Sequence, residues 1–144
     1  MQTFRFRLAR VLEWYTRQYE LEERRLTECL AALAGAKAAI AALLAERLSV
    51  EREMLLRKSI PATDFAALGL YRLGVKKRGV ELNAARERCQ AEAEAQRLKL
   101  RAAERRVRLV EKLRERRLAE YTYAENRELE ELAADAYFSK WAAR

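Results

Sequence analysis

The sequence predicts an all-α protein, a long antiparallel two-helix coiled-coil hairpin with an overhanging C-terminal helix. Three observations carry that prediction. Glycine and proline are scarce, four and one in 144 residues, so few positions interrupt a helix. Apolar residues recur at alternating steps of four and three over most of the chain, as a coiled-coil seam requires. The sole proline, Pro61, falls between two such runs. A composition of 51% hydrophobic and 36% charged residues is too apolar for disorder and too poor in turn residues for a β protein. The length fits one domain over residues 1–144.

Helix one is expected from about residue 3 to about residue 58, roughly 80 Å at 1.5 Å per residue. From Leu8 the heptad passes through Leu12, Tyr15, Tyr19, Glu22, Leu26, Cys29, Leu33, Ala36, Ile40, Leu43, Arg47, Val50 and Met54. Only Glu22 and Arg47 interrupt its apolar character. Leu30, Leu44, Leu48 and Leu55 widen the stripe beyond a strict seam. Between Ala31 and Ala45 stand nine alanines, whose small side chains allow close helix approach. Gly35 in that run costs about 1 kcal/mol relative to alanine but also permits contact.

The turn is expected at residues 59–63. Pro61 lacks an N–H and drives Ile60 toward an extended conformation, so an arriving helix must stop. Arg57 and Lys58 suit a helix C-terminus, Thr63 offers an N-cap, and Asp64 a favourable first-turn charge. A link of about four residues makes the two helices antiparallel.

Helix two is expected over about residues 64–140. Its stripe is Leu68, Tyr71, Val75, Leu82, Ala85, Cys89, Ala93, Leu100, Ala103, Val107, Val110 and Leu113. The phase shifts between Cys89 and Leu100, which reads as a stutter. Gly69, Gly74 and Gly79 together cost about 3 kcal/mol of helix propensity, softening the end near the turn. With the turn at Pro61, paired residues have numbers totalling roughly 123, which leaves about 25 C-terminal residues unpaired. They include Tyr121, Tyr123, Leu129, Leu132, Tyr137, Phe138 and Trp141, an apolar surface that expects a partner.

The chemistry available is narrow. No histidine occurs, which removes the commonest general base and nitrogen metal ligand. Cys29 and Cys89 are isolated and read as small buried hydrophobes in a reducing compartment. No glycine-rich phosphate loop or cofactor motif is present, so no enzyme activity, cofactor or metal site is expected. Net charge is +8, and Arg97–Arg117 holds ten basic residues against three acidic ones. An acidic partner follows from that excess. Nucleic acid is not the expected one, because no aromatic residue interleaves the block. The N-terminus alternates arginine with aromatic residues and does not resemble a signal peptide. The most apolar stretch, Leu30–Ala45, is shorter than the ~20 residues of a membrane span and carries Lys37. A cytoplasmic chain without a transmembrane segment is the expectation.

Phe4-Arg5-Phe6-Arg7-Leu8-Ala9-Arg10-Val11-Leu12 resembles the F-x-F-x-L-x-x-V-L opening of FliJ-type flagellar export proteins. Glu111-Lys112-Leu113-Arg114-Glu115-Arg116-Arg117, then Tyr121 and the acidic segment from Glu125 to Asp135, resemble that family's E-K-L-K-E-R-R region and its tail. The resemblance covers essentially the whole chain; the three glycines after the turn and the alanine-rich centre of helix one depart from it. It implies a non-enzymatic hairpin similar to the central stalk of rotary ATPases. Such a stalk inserts into the hexameric export ATPase of the flagellar type III apparatus and promotes assembly and activity of that ring. It also contacts the cytoplasmic domain of the export gate, and the family is linked to export chaperones. The place implied is cytoplasmic, peripheral at the export apparatus of the membrane. By resemblance, ring contact falls to Arg10, Trp14, Arg17, Arg24, Arg25, Arg114, Arg116 and Arg117, and gate contact to Leu43, Val50, Tyr71, Val75, Arg78 and Leu82. The equivalent stalk of a virulence secretion system, a generic basic coiled-coil adaptor and a nucleic-acid-binding helical protein are the alternatives.

Overall fold

The computed structural model describes residues 3–143. Two helices form, α1 (Ala9–Leu55) and α2 (Ala62–Ala142), and they pack on one another as a helical hairpin. The proline dictates the link, though not quite as the sequence suggests. α1 ends in a tightened turn, with Leu56 N–H donating to Arg52 O at 3.2 Å and Arg57 N–H to Met54 O at 3.3 Å. α2 starts directly after Pro61, whose carbonyl accepts from Asp64 N–H at 3.0 Å and Phe65 N–H at 3.3 Å. Pro61 itself therefore occupies the N-cap, where its missing N–H costs nothing. Thr63, expected as the cap, lies inside the first turn, and the link falls at residues 56–61 and not 59–63. Arg57 and Asp64 close it with a 2.8 Å ion pair, exposed and worth at most about 1 kcal/mol.

Helix one is also shorter at its start than expected. Phe4 and Phe6 alternate with Arg5 and Arg7, a period of two that belongs to extended chain. Both aromatic side chains are half-buried and both arginines exposed. The Phe4 ring lies 5.5 Å from that of Tyr121. The helix begins only once that alternation ends.

Contacts divide the chain into two units, Leu21–Leu100 and a second made of Met1–Glu20 with Arg101–Arg144. In Leu21–Leu100 the helices run antiparallel: Arg72 Nε lies 3.2 Å from Glu51 Oε1, and Leu43 stands beside Gly79. Both pairs follow the expected register. The heptad positions Leu26, Cys29, Leu33, Ala36, Ile40, Leu43, Val50 and Met54 of α1 are all sheltered. Arg47, the second interruption, is exposed and bonds Glu51 at 3.2 Å.

The stutter expected in α2 is not there. Leu68, Val75, Leu82, Cys89 and Gln96 keep a strict seven-residue spacing, and all are sheltered. Gln96 is only 7% exposed; its polarity hides it from a search for apolar positions. Its Nε2 donates to the Glu22 carbonyl oxygen at 3.1 Å and also to the Glu22 carboxylate. The two polar breaks in the two stripes are thus one another's partners. This level lies about five residues short of the expected pairing sum. Gly35, Gly69 and Gly74 face open space, with nothing within 4 Å of an added Cβ, so Gly35 serves no close approach.

In the other unit Ala103 is buried. Leu12, Tyr15 and Tyr19 of α1 and Val107, Val110 and Leu113 of α2 are half-buried. After Tyr121 only Glu125 keeps partial cover, and the described residues from 126 to 143 are all exposed. Local contacts hold this part of α2, among them Arg127 to Glu131 at 3.1 Å.

α1 contains an 18-residue window of mean hydropathy 1.7, long and apolar enough by length and composition to cross a membrane. The sequence reading of Leu30–Ala45 as too short does not anticipate this. Only 6% of that window is buried, although Ile40 and Leu43 lie on the seam.

Candidate functional site

Helical periodicity places the expected ring-contact residues on surface positions. Arg10, Trp14 and Arg17 are spaced by four and three, so they share one face of α1, and all three are exposed. Trp14 is 54% exposed, and its ring lies 5.3 Å from that of Tyr15, which turns inward. Arg114, Arg116 and Arg117 of α2 are exposed in the same unit. Arg17 and Arg114 both line an open hollow of ≈ 640 Å³ with Phe4, Phe6, Leu12, Thr16, Glu13 and Glu20. The structure therefore brings Arg17 and Arg114 together. Arg117 bonds Glu120 at 2.9 Å, which reduces the charge it presents.

Arg24 and Arg25 belong to the unit Leu21–Leu100 and are exposed. Arg25 lies 3.0 Å from Glu22, so it neutralises the carboxylate that Gln96 bonds from the other helix. Its role is tied to the seam.

Two of the six expected gate-contact residues are buried. Such contact calls for exposed side chains, yet Leu43 is 6% and Val75 8% exposed. Both are heptad positions whose surface is consumed by the hairpin itself. Val50, Tyr71 and Leu82 are half-buried on the same seam, and the Tyr71 hydroxyl is buried without a partner. Arg78 alone of the six is exposed. An outside partner reaches Leu43 and Val75 only if the helices part.

The basic block from Arg97 to Arg117 is largely a solvated face. Arg97, Arg101, Arg105, Arg106 and Arg108 are exposed, and Arg108 pairs with Glu104 at 2.6 Å. The Glu51 carboxyl lies below its ordinary value. The hydrogen bond from Arg47 holds it low, the charges of Arg47 and Arg72 add to this, and partial burial opposes them. Among the described residues no three His, Cys, Asp or Glu side chains gather closely enough to hold a metal ion.

The chain matches no family model, no curated protein and no solved structure. The functional reading accordingly rests on the surfaces themselves and on the motifs at the two ends of the sequence.

Sequence reasoning overlooked one surface. Leu56, Phe65, Leu70, Leu73 and Val80 are all strongly exposed near the link, together with Leu55. Their signal was available: Phe65, Leu73 and Val80 recur at steps of eight and seven on a face that the seam residues Leu68, Tyr71, Val75 and Leu82 do not use.

Proposed function

We propose that this protein is a non-enzymatic stalk and adaptor of a flagellar type III export apparatus. In this reading it enters the export ATPase hexamer, promotes assembly and activity of that ring, and links it to the cytoplasmic domain of the export gate. Export chaperones are further partners. It works in the cytoplasm, peripherally at the membrane-bound apparatus. The observation that carries the reading is the uncovered C-terminal part of α2, where Leu129, Leu132, Tyr137, Phe138 and Trp141 are each more than half exposed. A helix left with that much apolar and aromatic surface is suited to burial in a larger assembly. The arginine-rich surface of Arg10, Arg17, Arg114 and Arg116 with Trp14 supports it, because arginine and tryptophan are the side chains that anchor interfaces most often. The opening Phe4–Leu12 and the Glu111–Arg117 motif supply the resemblance that points to this particular ring. For gate contact the reading retains Arg78 as the exposed candidate, since Leu43 and Val75 are committed to the seam.

The test is ATP hydrolysis by a purified flagellar export ATPase with the full chain and with the chain truncated after Leu118. The full chain raises hydrolysis, hydrolyses nothing alone, and loses this effect on truncation. Full activation by the truncated form refutes the role of the exposed C-terminal segment; no activation by either form refutes the reading.

A further inference from the structure

The end of the hairpin at the link presents a different surface from the one above. Leu55 is 84% and Leu56 78% exposed as α1 ends, and Leu70 is 72% exposed on α2. Phe65, Leu73 and Val80 are each more than half exposed along the same part of α2. None is required by the seam, which here uses Leu68, Tyr71, Val75 and Leu82. Apolar side chains this exposed at adjoining positions mark a contact surface.

Charge identifies the contact. Between Arg52 and Val80 stand seven basic residues and two acidic ones. Arg57 is answered by Asp64 and Arg72 by Glu51. Arg52, Lys58, Lys76, Lys77 and Arg78 are exposed, and none appears in an ion pair among the described residues. Lys76 and Lys77 lie between Leu73 and Val80, so cationic heads border the apolar stripe. Long basic side chains bury their stems against an apolar layer while their heads stay at its polar boundary.

We propose that this end of the hairpin, Arg52–Val80, is a docking surface for a bilayer rich in anionic phospholipid. Leu55, Leu56 and Phe65 enter the headgroup–acyl boundary, and Lys58, Lys76 and Lys77 pair with lipid phosphates. The apolar residues sit on a helix end, a link and an outward helix face. A bilayer accepts such a set without shape complementarity, whereas a protein groove must match each projection and supply acidic rims. The inference stands apart from the stalk reading, because it uses neither the motif-bearing ends of the chain nor the exposed C-terminal segment.

Vesicle flotation with the full chain tests it. The vesicles are phosphatidylcholine alone, or phosphatidylcholine with about a quarter phosphatidylglycerol, each at about 0.1 M and about 0.5 M salt. The full chain floats with the anionic vesicles at low salt and at least about tenfold less with neutral ones. Leu55→Ser/Leu56→Ser/Phe65→Ser leaves every charge in place yet lowers anionic partition about tenfold, as does Lys58→Gln/Lys76→Gln/Lys77→Gln. Helical circular dichroism stays unchanged, since all six positions are exposed. Undiminished binding by the serine variant overturns the proposal and assigns the attraction to Arg97–Arg117. Failure of the full chain to float with anionic vesicles also overturns it, leaving the surface to a protein partner.

Discussion

The bond between Gln96 and Glu22 lends itself to a quantitative test. Gln96 is buried on the seam, and its amide serves both the carbonyl and the carboxylate of Glu22. Gln96→Ala removes those donors and leaves the carboxylate with Arg25 as its remaining ion-pair partner. A hydrogen bond to a charged group is worth about 1.5–3 kcal/mol, and truncating a buried side chain adds a cavity term, so a loss of about 2–3 kcal/mol is expected. Glu22→Ala costs less, about 1–2 kcal/mol, because the Gln96 amide keeps the backbone carbonyl as an acceptor. The double variant should lose less than the two singles combined, by about 1.5 kcal/mol, since the second truncation breaks a bond already gone. Urea denaturation followed by circular dichroism on the four proteins measures this cycle. Additive singles, with a coupling below about 0.3 kcal/mol, refute the claim that these two residues hold the helices in register. Glu22→Leu with Gln96→Leu is the informative companion. It should raise the midpoint while loosening the choice of register, as buried polar positions do in coiled coils.

Other outcomes follow from the same structure. The Glu51 carboxyl is held below its ordinary value of 4.5, so its contribution to stability is present above that pH and is lost as pH falls through the lowered value. Wild type and Glu51→Gln should therefore differ in denaturation midpoint at neutral pH and converge on acidification; a difference that persists or grows in acid contradicts this. Gly35→Ala, Gly69→Ala and Gly74→Ala each add a methyl group into open space and should each stabilise by about 1 kcal/mol in thermal denaturation. Gly79→Ala gains no more than these, because its new Cβ reaches ordinary contact with Leu43 at 4.0 Å.

The hairpin and most of its seam were legible in the sequence because coiled-coil packing writes itself into apolar spacing. Leu26 through Met54 could be read as they stand, Arg47 apart. What escaped was polar or local. Gln96 was invisible as a seam residue because apolar periodicity cannot see an amide, although Glu22 on the facing stripe signalled that a polar partner was needed. Pro61 was read only as a helix stop, and Thr63 took the cap by side-chain preference. A proline carbonyl caps as well as any other, and it stood nearer. Phe4 and Phe6 were absorbed into helix one although their alternation with arginine is the mark of extended chain. The arginines expected at a ring and Trp14 are exposed, as charged side chains of a helical surface are. Leu43 and Val75, implied by resemblance as gate contacts, are heptad positions, and the heptad alone marks them for burial.

The proposed roles require α1 and α2 to lie antiparallel within a single chain. Cys29 and Cys89 test that arrangement directly. Cys29 follows Glu22 by one heptad and Cys89 precedes Gln96 by one heptad, so the contact between Glu22 and Gln96 sets the two thiols at a common level. Both are unbridged and half-buried. A short thiol-bridging reagent on the dilute protein, read by mass and by peptide mapping, should join Cys29 to Cys89 within one molecule. A bridge found only between two molecules, or two thiols modified singly with no bridge, contradicts the hairpin and its register.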